Sequence, residues 1–301
     1  MTEPLPVAVP RKGRPLEAVL ERLADVGGTD ELTSLADAVS NTLRFEKAVT
    51  KGAIEADRGL YERLEAYSDP TEPSHPEFTL LRDDRRGKPR RIVFDSATVT
   101  VDGVDLTLIG REEPFRALRT HEFALGFDSA DLVLEEVVGI RPSGLSGLAD
   151  VNDRIDPLDT DVRVVSGLGD TVYHTLLASP DLLPPRTNLN REFIHEFDGS
   201  LCISARYERL VTAVLGTDAL TGVEFTYPDP DIEEEAAIAD TGVGVYLTVS
   251  GSTAREHGLI LGEQLFPSET VVLRNTAEDH PALEPAITLF DGLDAESVLT
   301  A

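Results

Sequence analysis

The tetrad Ser250-Gly251-Ser252-Thr253 has the residue types and spacing best suited to chemistry in this chain. It follows Val243–Val249, an apolar and β-branched run that reads as a buried strand, and it precedes a short helix-compatible segment. Glycine lets a ligand approach the backbone, hydroxyls donate hydrogen bonds, and a following helix start offers free N–H groups, so the stretch suits a phosphate. Taken alone, the tetrad also reads as an ordinary strand-to-helix turn with Thr253 as the N-cap. A second candidate is Arg11-Lys12-Gly13-Arg14, between a strand candidate at 5–10 and a helix with Pro15 in its first turn and apolar residues at 16, 19, 20 and 23. Cations beside a helix N-terminus oppose its dipole, a cost that a bound anion or nearby acids would offset. Cys202 stands alone in a strand-like run and reads as a buried, inert thiol. The six histidines show no metal-ligand spacing.

The elements that must position these residues alternate between strand and helix patterns. Residues 30–67 are helical in tone, and a proline-rich break at 68–76 follows. Arg85-Arg86-Gly87-Lys88-Pro89-Arg90-Arg91 reads as an exposed basic loop paired with the acidic helices, with a cover over a polyphosphate site as the alternative. The run 95–103 is ambiguous between strand and helix, 104–110 is a strand ending in glycine, and 111–118 begins a helix. Asp131–Val138 is expected to be a strand, and 139–185 gives little periodic signal. Strands follow at 200–204, 222–227 and 270–273, with helices at 206–215, at 231–239 and, closing the chain, at 281–289. The rhythm is that of an α/β protein.

Composition narrows the partners. The 301 residues carry 55 acids against 27 bases, a net charge of −28. Such a field repels nucleic acid and anionic membrane, and no apolar stretch is long enough to span a bilayer or to form a leader's core. A cytoplasmic protein is therefore expected. Only Lys12, Lys47, Lys51 and Lys88 are lysine. Acid excess with scarce lysine predicts a salt-accumulating, archaeal cytoplasm, while an acidic chain from an ordinary cell would leave the lysine scarcity unexplained.

Four segments, in order, resemble the catalytic chain of ATP phosphoribosyltransferase, the first enzyme of histidine biosynthesis. They are Val7-Ala8-Val9-Pro10-Arg11-Lys12-Gly13-Arg14-Pro15-Leu16-Glu17, Asp102-Gly103-Val104-Asp105-Leu106-Thr107-Leu108-Ile109-Gly110, the helix start Ala205–Leu210, and Ala239-Asp240 followed by Val249–Leu259 with its hydroxyl loop. The resemblance implies an α/β, two-lobed fold of the type II periplasmic-binding-protein kind with a ligand cleft between lobes. Residues 1–118, with a helical insertion at about 28–68, would form the first lobe, completed by 262–301. Residues 119–261 would form the second, carrying the phosphate loop. The implied substrates are phosphoribosyl pyrophosphate and ATP, with Mg2+. Ser250, Gly251, Ser252 and Thr253 would hold the 5′-phosphate, Lys12 and Arg14 the pyrophosphate, and Asp240 with Glu233, Glu234 or Glu235 the ribose or magnesium.

A homo-oligomer is also expected. The chain departs from the family pattern at Tyr246, where an aspartate falls when counted back from the loop, and in a strand two residues longer. The 28 residues after Leu273 are too few for the regulatory domain of the long-form enzymes. A non-catalytic paralogue, acting as a ligand sensor or partner subunit, is the alternative that Tyr246 favours, and an amino-acid or small-acid binding module on the same shape is a third.

Overall fold

The structure, a computed structural model, describes residues 3–69, 71–72, 74–82, 90–137, 148–184, 187–229 and 232–290. The chain opens with β1 (Leu5–Pro10) and α1 (Arg14–Gly27), which buries Leu16, Val19, Leu20 and Leu23 as their helical spacing requires. Thr29 caps α2 (Asp30–Lys51), its side-chain oxygen accepting from the Leu32 N–H at 3.3 Å, and α3 (Leu60–Tyr67) ends the helical stretch. Next come β2 (Glu77–Arg82), β3 (Arg90–Val101) and β4 (Val104–Arg111), paired antiparallel in succession. The ambiguous run 95–103 is thus strand and turn. Asp102 and Gly103 have φ of 51° and 82°, the positive values a two-residue hairpin demands. Of the basic patch at 85–91, only Arg90 and Arg91 lie among the described residues, opening β3.

After α4 (Pro114–Arg119) and β5 (Leu125–Ser129), the expected strand at 131–138 is instead a helix, α5 (Ala130–Val137). Its buried Ala130, Val133, Leu134 and Val137 fall at i, i+3, i+4 and i+7, a helical stripe that the density of valine and leucine conceals. The weakly patterned region then holds α6 (Leu148–Arg154), β6 (Val162–Gly167) and β7 (Val172–Ala178). The remaining order is α7 (Arg191–Glu196), β8 (Gly199–Cys202), α8 (Glu208–Leu215), β9 (Val223–Thr226), α9 (Glu234–Thr241), β10 (Val243–Thr248), α10 (Ser252–Glu256), β11 (Ile260–Ser268), β12 (Thr270–Asn275) and α11 (Leu283–Thr288). Cys202 is buried at the end of β8, and burial pushes its thiol up.

Two sheets form, with orders β2-β3-β4-β1-β5-β12-β6 and β11-β7-β10-β8-β9. In the first, β4, β1 and β5 are parallel, and β12 lies antiparallel between β5 and β6. In the second, β9, β8 and β10 are parallel, and β7 lies antiparallel between β10 and β11. Each sheet therefore repeats one plan, three parallel strands with the first in the middle, then a reversed strand, then an outer one. This mixed α/β plan is the arrangement expected of a type II periplasmic-binding-protein-like fold.

The described residues within Met1–Ser129, Gly147–Asp170 and Thr270–Ala301 form one compact unit, and those within Ala130–Ser146 and Thr171–Glu269 form a second. Both reversed strands thus start where the chain has just changed units. The boundary read at 118/119 precedes β5, and that read at 261/262 falls within β11.

Helices α2 and α3 are joined to each other by buried charge. Arg63 Nε and Nη2 donate to the two Glu46 carboxylate oxygens at 2.7 and 2.9 Å, and Tyr67 Oη donates to the same carboxylate at 3.0 Å. Burial, then Glu46, pushes the Tyr67 hydroxyl up to about 12. Removing the carboxylate strands a buried guanidinium, so Glu46→Ala is expected to cost about 3 kcal/mol in urea denaturation.

The second unit has its own buried polar group. Ser268 Oγ donates to Asp131 Oδ1 at 2.8 Å, and His174 Nε2 lies 3.1 Å from Oδ2, its ring stacked on Phe266 with centroids 4.3 Å apart. Burial works to raise the Asp131 carboxyl, but His174, Tyr207 and Ser268 outweigh it and hold it below the usual range. A carboxyl lowered on folding stabilises the protein above its unfolded pKa, about 4, and that stability is lost as pH falls through its folded value. The deficit of Asp131→Asn relative to wild type should therefore be full near neutrality and shrink below about pH 4, as read from denaturation midpoints across pH.

Candidate functional site

Two loops carry most of the predicted residues, one in each unit. In the first unit, β1 delivers Arg11-Lys12-Gly13 to the start of α1, and the cations of this loop meet acids. Lys12 Nζ lies 3.0 Å from Glu112 Oε1, and Arg11 Nη2 lies 3.6 Å from Asp95 Oδ1 while its Nε donates to the Gly110 carbonyl at 3.0 Å. Arg14 Nη1 donates to the Asp170 carbonyl at 2.6 Å and also to the Asp170 carboxylate. The dipole cost at the α1 N-terminus is thus met by neighbouring carboxylates. Lys12 and Glu112 are both about half exposed, a setting in which an ion pair is worth about 0–1 kcal/mol and an arriving phosphate displaces it cheaply. Arg14 is held more firmly, because Asp170 also accepts from the Thr270 N–H and hydroxyl, each at 2.7 Å.

In the second unit, β10 empties into the hydroxyl loop as its β-branched run predicts. Gly251, not Thr253, is the N-cap of α10 and adopts φ 68°. A Cβ there would lie 2.3 Å from Leu261 Cδ2, so a side chain would strain the backbone and displace Leu261. Ser250 and Ser252 hydroxyls lie 3.0 Å apart, the Ser252 N–H donates to Ser250 Oγ at 3.3 Å, and Arg255 Nη1 donates to the Ser250 carbonyl at 2.8 Å. Ser250 and Ser252 are exposed, and Thr253 is half-buried in the first turn of α10. The result is a small cation- and hydroxyl-bearing loop open to solvent.

Helix α9 sets acids beside this loop. Glu233, its N-cap, places Oε2 3.5 Å from His257 Nε2 just after α10, and Glu234 and Glu235 open the helix near the Tyr246 hydroxyl of β10. Asp240 stands exposed seven residues further along, about 10 Å down the helix axis from Glu233. The structure therefore brings Glu233 and Glu234 towards the ends of β10 and α10, whereas Asp240 lies at the other end of α9. Burial, then Glu234 and Glu235, raises the Tyr246 hydroxyl, so the ring contributes no negative charge. The sequence marked Tyr246 but gave no sign that the acids opening α9 would lie near it.

Among the described residues, no three His, Cys, Asp or Glu side chains are grouped to hold a metal, and no helix is long and apolar enough to cross a membrane. Magnesium typically takes one or two protein carboxylates and completes its shell with substrate phosphates and water. Glu233 to Glu235 at the α9 start fit that modest role.

Comparison with known proteins gives a family match over residues 1–301, described as halobacterial ATP phosphoribosyltransferase. No curated protein sequence matches the chain. Among solved structures, the chain is similar to the ATP phosphoribosyl transferase (HisG:HisZ) complex from Thermotoga maritima, with 12% identity, a TM-score of 0.44, and coverage of 97% of this chain and 96% of that one. It is also similar to YhfZ from Shigella flexneri, at 12% identity and TM-score 0.40 over 65% of this chain and 76% of that one. The regulatory domain of the LysR family regulator MetR from N. meningitidis gives 11% identity and TM-score 0.36 over 61% and 78%.

Gly251→Ala should destabilise the second unit by about 1–2 kcal/mol through its left-handed backbone alone, with Leu261 adding to the cost, while Ser252→Ala leaves the denaturation midpoint unchanged.

Proposed function

Because the chain belongs to the halobacterial ATP phosphoribosyltransferase family, we propose that it binds phosphoribosyl pyrophosphate and transfers the phosphoribosyl group to ATP. The lone pair of adenine N1 attacks ribose C1, the bond from C1 to the pyrophosphate oxygen breaks, and pyrophosphate leaves with the electron pair. No protein nucleophile is required. The reaction belongs to cytoplasmic histidine biosynthesis, and a homo-oligomer is part of the same proposal.

The observation that carries this reading is the hydroxyl loop after β10, turned by a left-handed glycine, in a chain matched to the family from end to end. Ser250, Gly251, Ser252 and Thr253 hold the 5′-phosphate through hydroxyls and backbone. Lys12 and Arg14 meet the pyrophosphate, exchanging their contacts to Glu112 and Asp170 for substrate oxygens. Cations placed where negative charge grows on the leaving group are what lowers such a barrier. Glu233, Glu234, Glu235 and Asp240 are the proposed contacts for ribose hydroxyls or magnesium. Magnesium, when bound, would offset charge on the pyrophosphate.

A second reading, a paralogue that binds phosphoribosyl compounds without turnover, is favoured by one observation, the neutral hydroxyl of Tyr246 near the acids of α9.

Calorimetric titration with phosphoribosyl pyrophosphate and magnesium in molar potassium chloride, followed by ATP and an assay for released pyrophosphate, separates the readings. Micromolar binding with release supports the transferase, and binding without release supports the sensor. Ser252→Glu places a carboxylate at an exposed position, without the backbone strain that confounds Gly251, and should abolish binding. A folded protein that does not bind, or an unaffected Ser252→Glu variant, overturns both.

A further inference from the structure

Arg22 stands apart from the other arginines of the first unit. Arg44 is paired with Glu17, Arg63 with Glu46 and Arg274 with Glu284, each at 2.7 Å. Arg22, in the second half of α1, has no hydrogen-bond or ion-pair partner among the described residues, and its Nε is buried. It lines a cavity of about 470 Å³ between α1, the turn from β3 to β4, and α11. Small-molecule pockets run from about 300 to 1,000 Å³, so the space suits one. Asp102, in the turn with φ 51°, is the one carboxylate among the described residues that line it, exposed and likewise without a partner. Val26, Val104, Pro285 and Leu289 add apolar wall.

Each charged residue has a local explanation. Arginine can lay its stem on apolar surface and keep its head in water, and aspartate followed by glycine is at home in a hairpin turn. Neither explanation accounts for a charged donor that is buried with no bond made, which is costly. Nor does either account for a cation and a carboxylate that line one cavity without pairing across it. The arrangement leaves room between them for a ligand that carries the opposite charge at each end.

The charge balance selects that ligand. A polyanion would meet Asp102 and the net charge of −28, and a polyamine would meet Arg22. A group with one carboxylate and one ammonium satisfies both, since the guanidinium fork takes a carboxylate in two parallel bonds. We propose that this cavity binds a free α-amino acid with an aliphatic side chain, its carboxylate on Arg22, its ammonium on Asp102 and its side chain against Val26, Val104 and Leu289. The site is distinct from the basic loop. Strands β1 and β4 run parallel with Pro10 beside Arg111, so the loop after β1 lies at the far end of β4 from Val104, about 23 Å along the strand. None of the residues proposed for phosphoribosyl transfer takes part.

The test is equilibrium dialysis of the full chain against radiolabelled L-leucine in molar potassium chloride, with circular dichroism as the check on folding. Wild type is expected to bind one leucine per chain, and Arg22→Met and Asp102→Asn each to bind it about tenfold more weakly or worse. Asparagine tolerates the left-handed backbone at 102, so the test stands even if Arg22→Met does not fold. Labelled 4-methylpentanoate, which lacks the ammonium, should bind more weakly than leucine and should be insensitive to Asp102→Asn. No binding of leucine to wild type, or equal affinity in either folded variant, overturns the proposal. Binding of 4-methylpentanoate as tight as that of leucine overturns it too, because Asp102 would then hold nothing.

Discussion

The Asp170 carboxylate ties together three segments of the first unit. It accepts from the Thr270 N–H and hydroxyl and from Arg14, and so joins the last residue before the chain leaves the first unit to the first residue after its return. Strand β12 starts at Thr270 and runs reversed between β5 and β6, with Val271, Val272 and Leu273 fully buried. A strand in that place donates and accepts on both edges, so its register must be fixed where it enters. The same carboxylate sets the start of α1, because Arg14 is its first residue.

This arrangement gives the basic loop two kinds of cation. Arg14 is bound into the fold, whereas Lys12 is held by a half-exposed pair that is cheap to exchange. The anion site suggested by residue type is therefore graded: a positioning arginine and an exchangeable lysine sit two residues apart.

In the second unit, the hydroxyl loop depends on the reversed strand β7 in the way the first unit depends on β12. Strand β10 is central, paired with β7 on one edge and β8 on the other, which fixes the point at which Gly251 turns left-handed. Tyr246 presents a neutral hydroxyl on β10, and the acids near it belong to α9.

Much of this was legible from local pattern. The start of α1, the runs of β1, β4 and β10, the loop Ser250–Thr253 and the buried Cys202 follow from periodicity, glycine and proline placement, and burial, which are properties of neighbours in sequence. Helix α5 was misread because valine and leucine favour either structure when both faces of an element are covered, and only its buried stripe at Ala130, Val133, Leu134 and Val137 decides. The pairing of Arg14 with Asp170 and the placing of Lys12, Lys47, Lys51 and Arg91 around one cavity were not legible at all. Each joins residues whose distance apart is set by sheet order, and the sequence alone fixes the elements but not which strand returns beside which. The sequence determined the chemistry available, and the tertiary structure decided which charges are spent on holding the fold and which are left to meet a ligand.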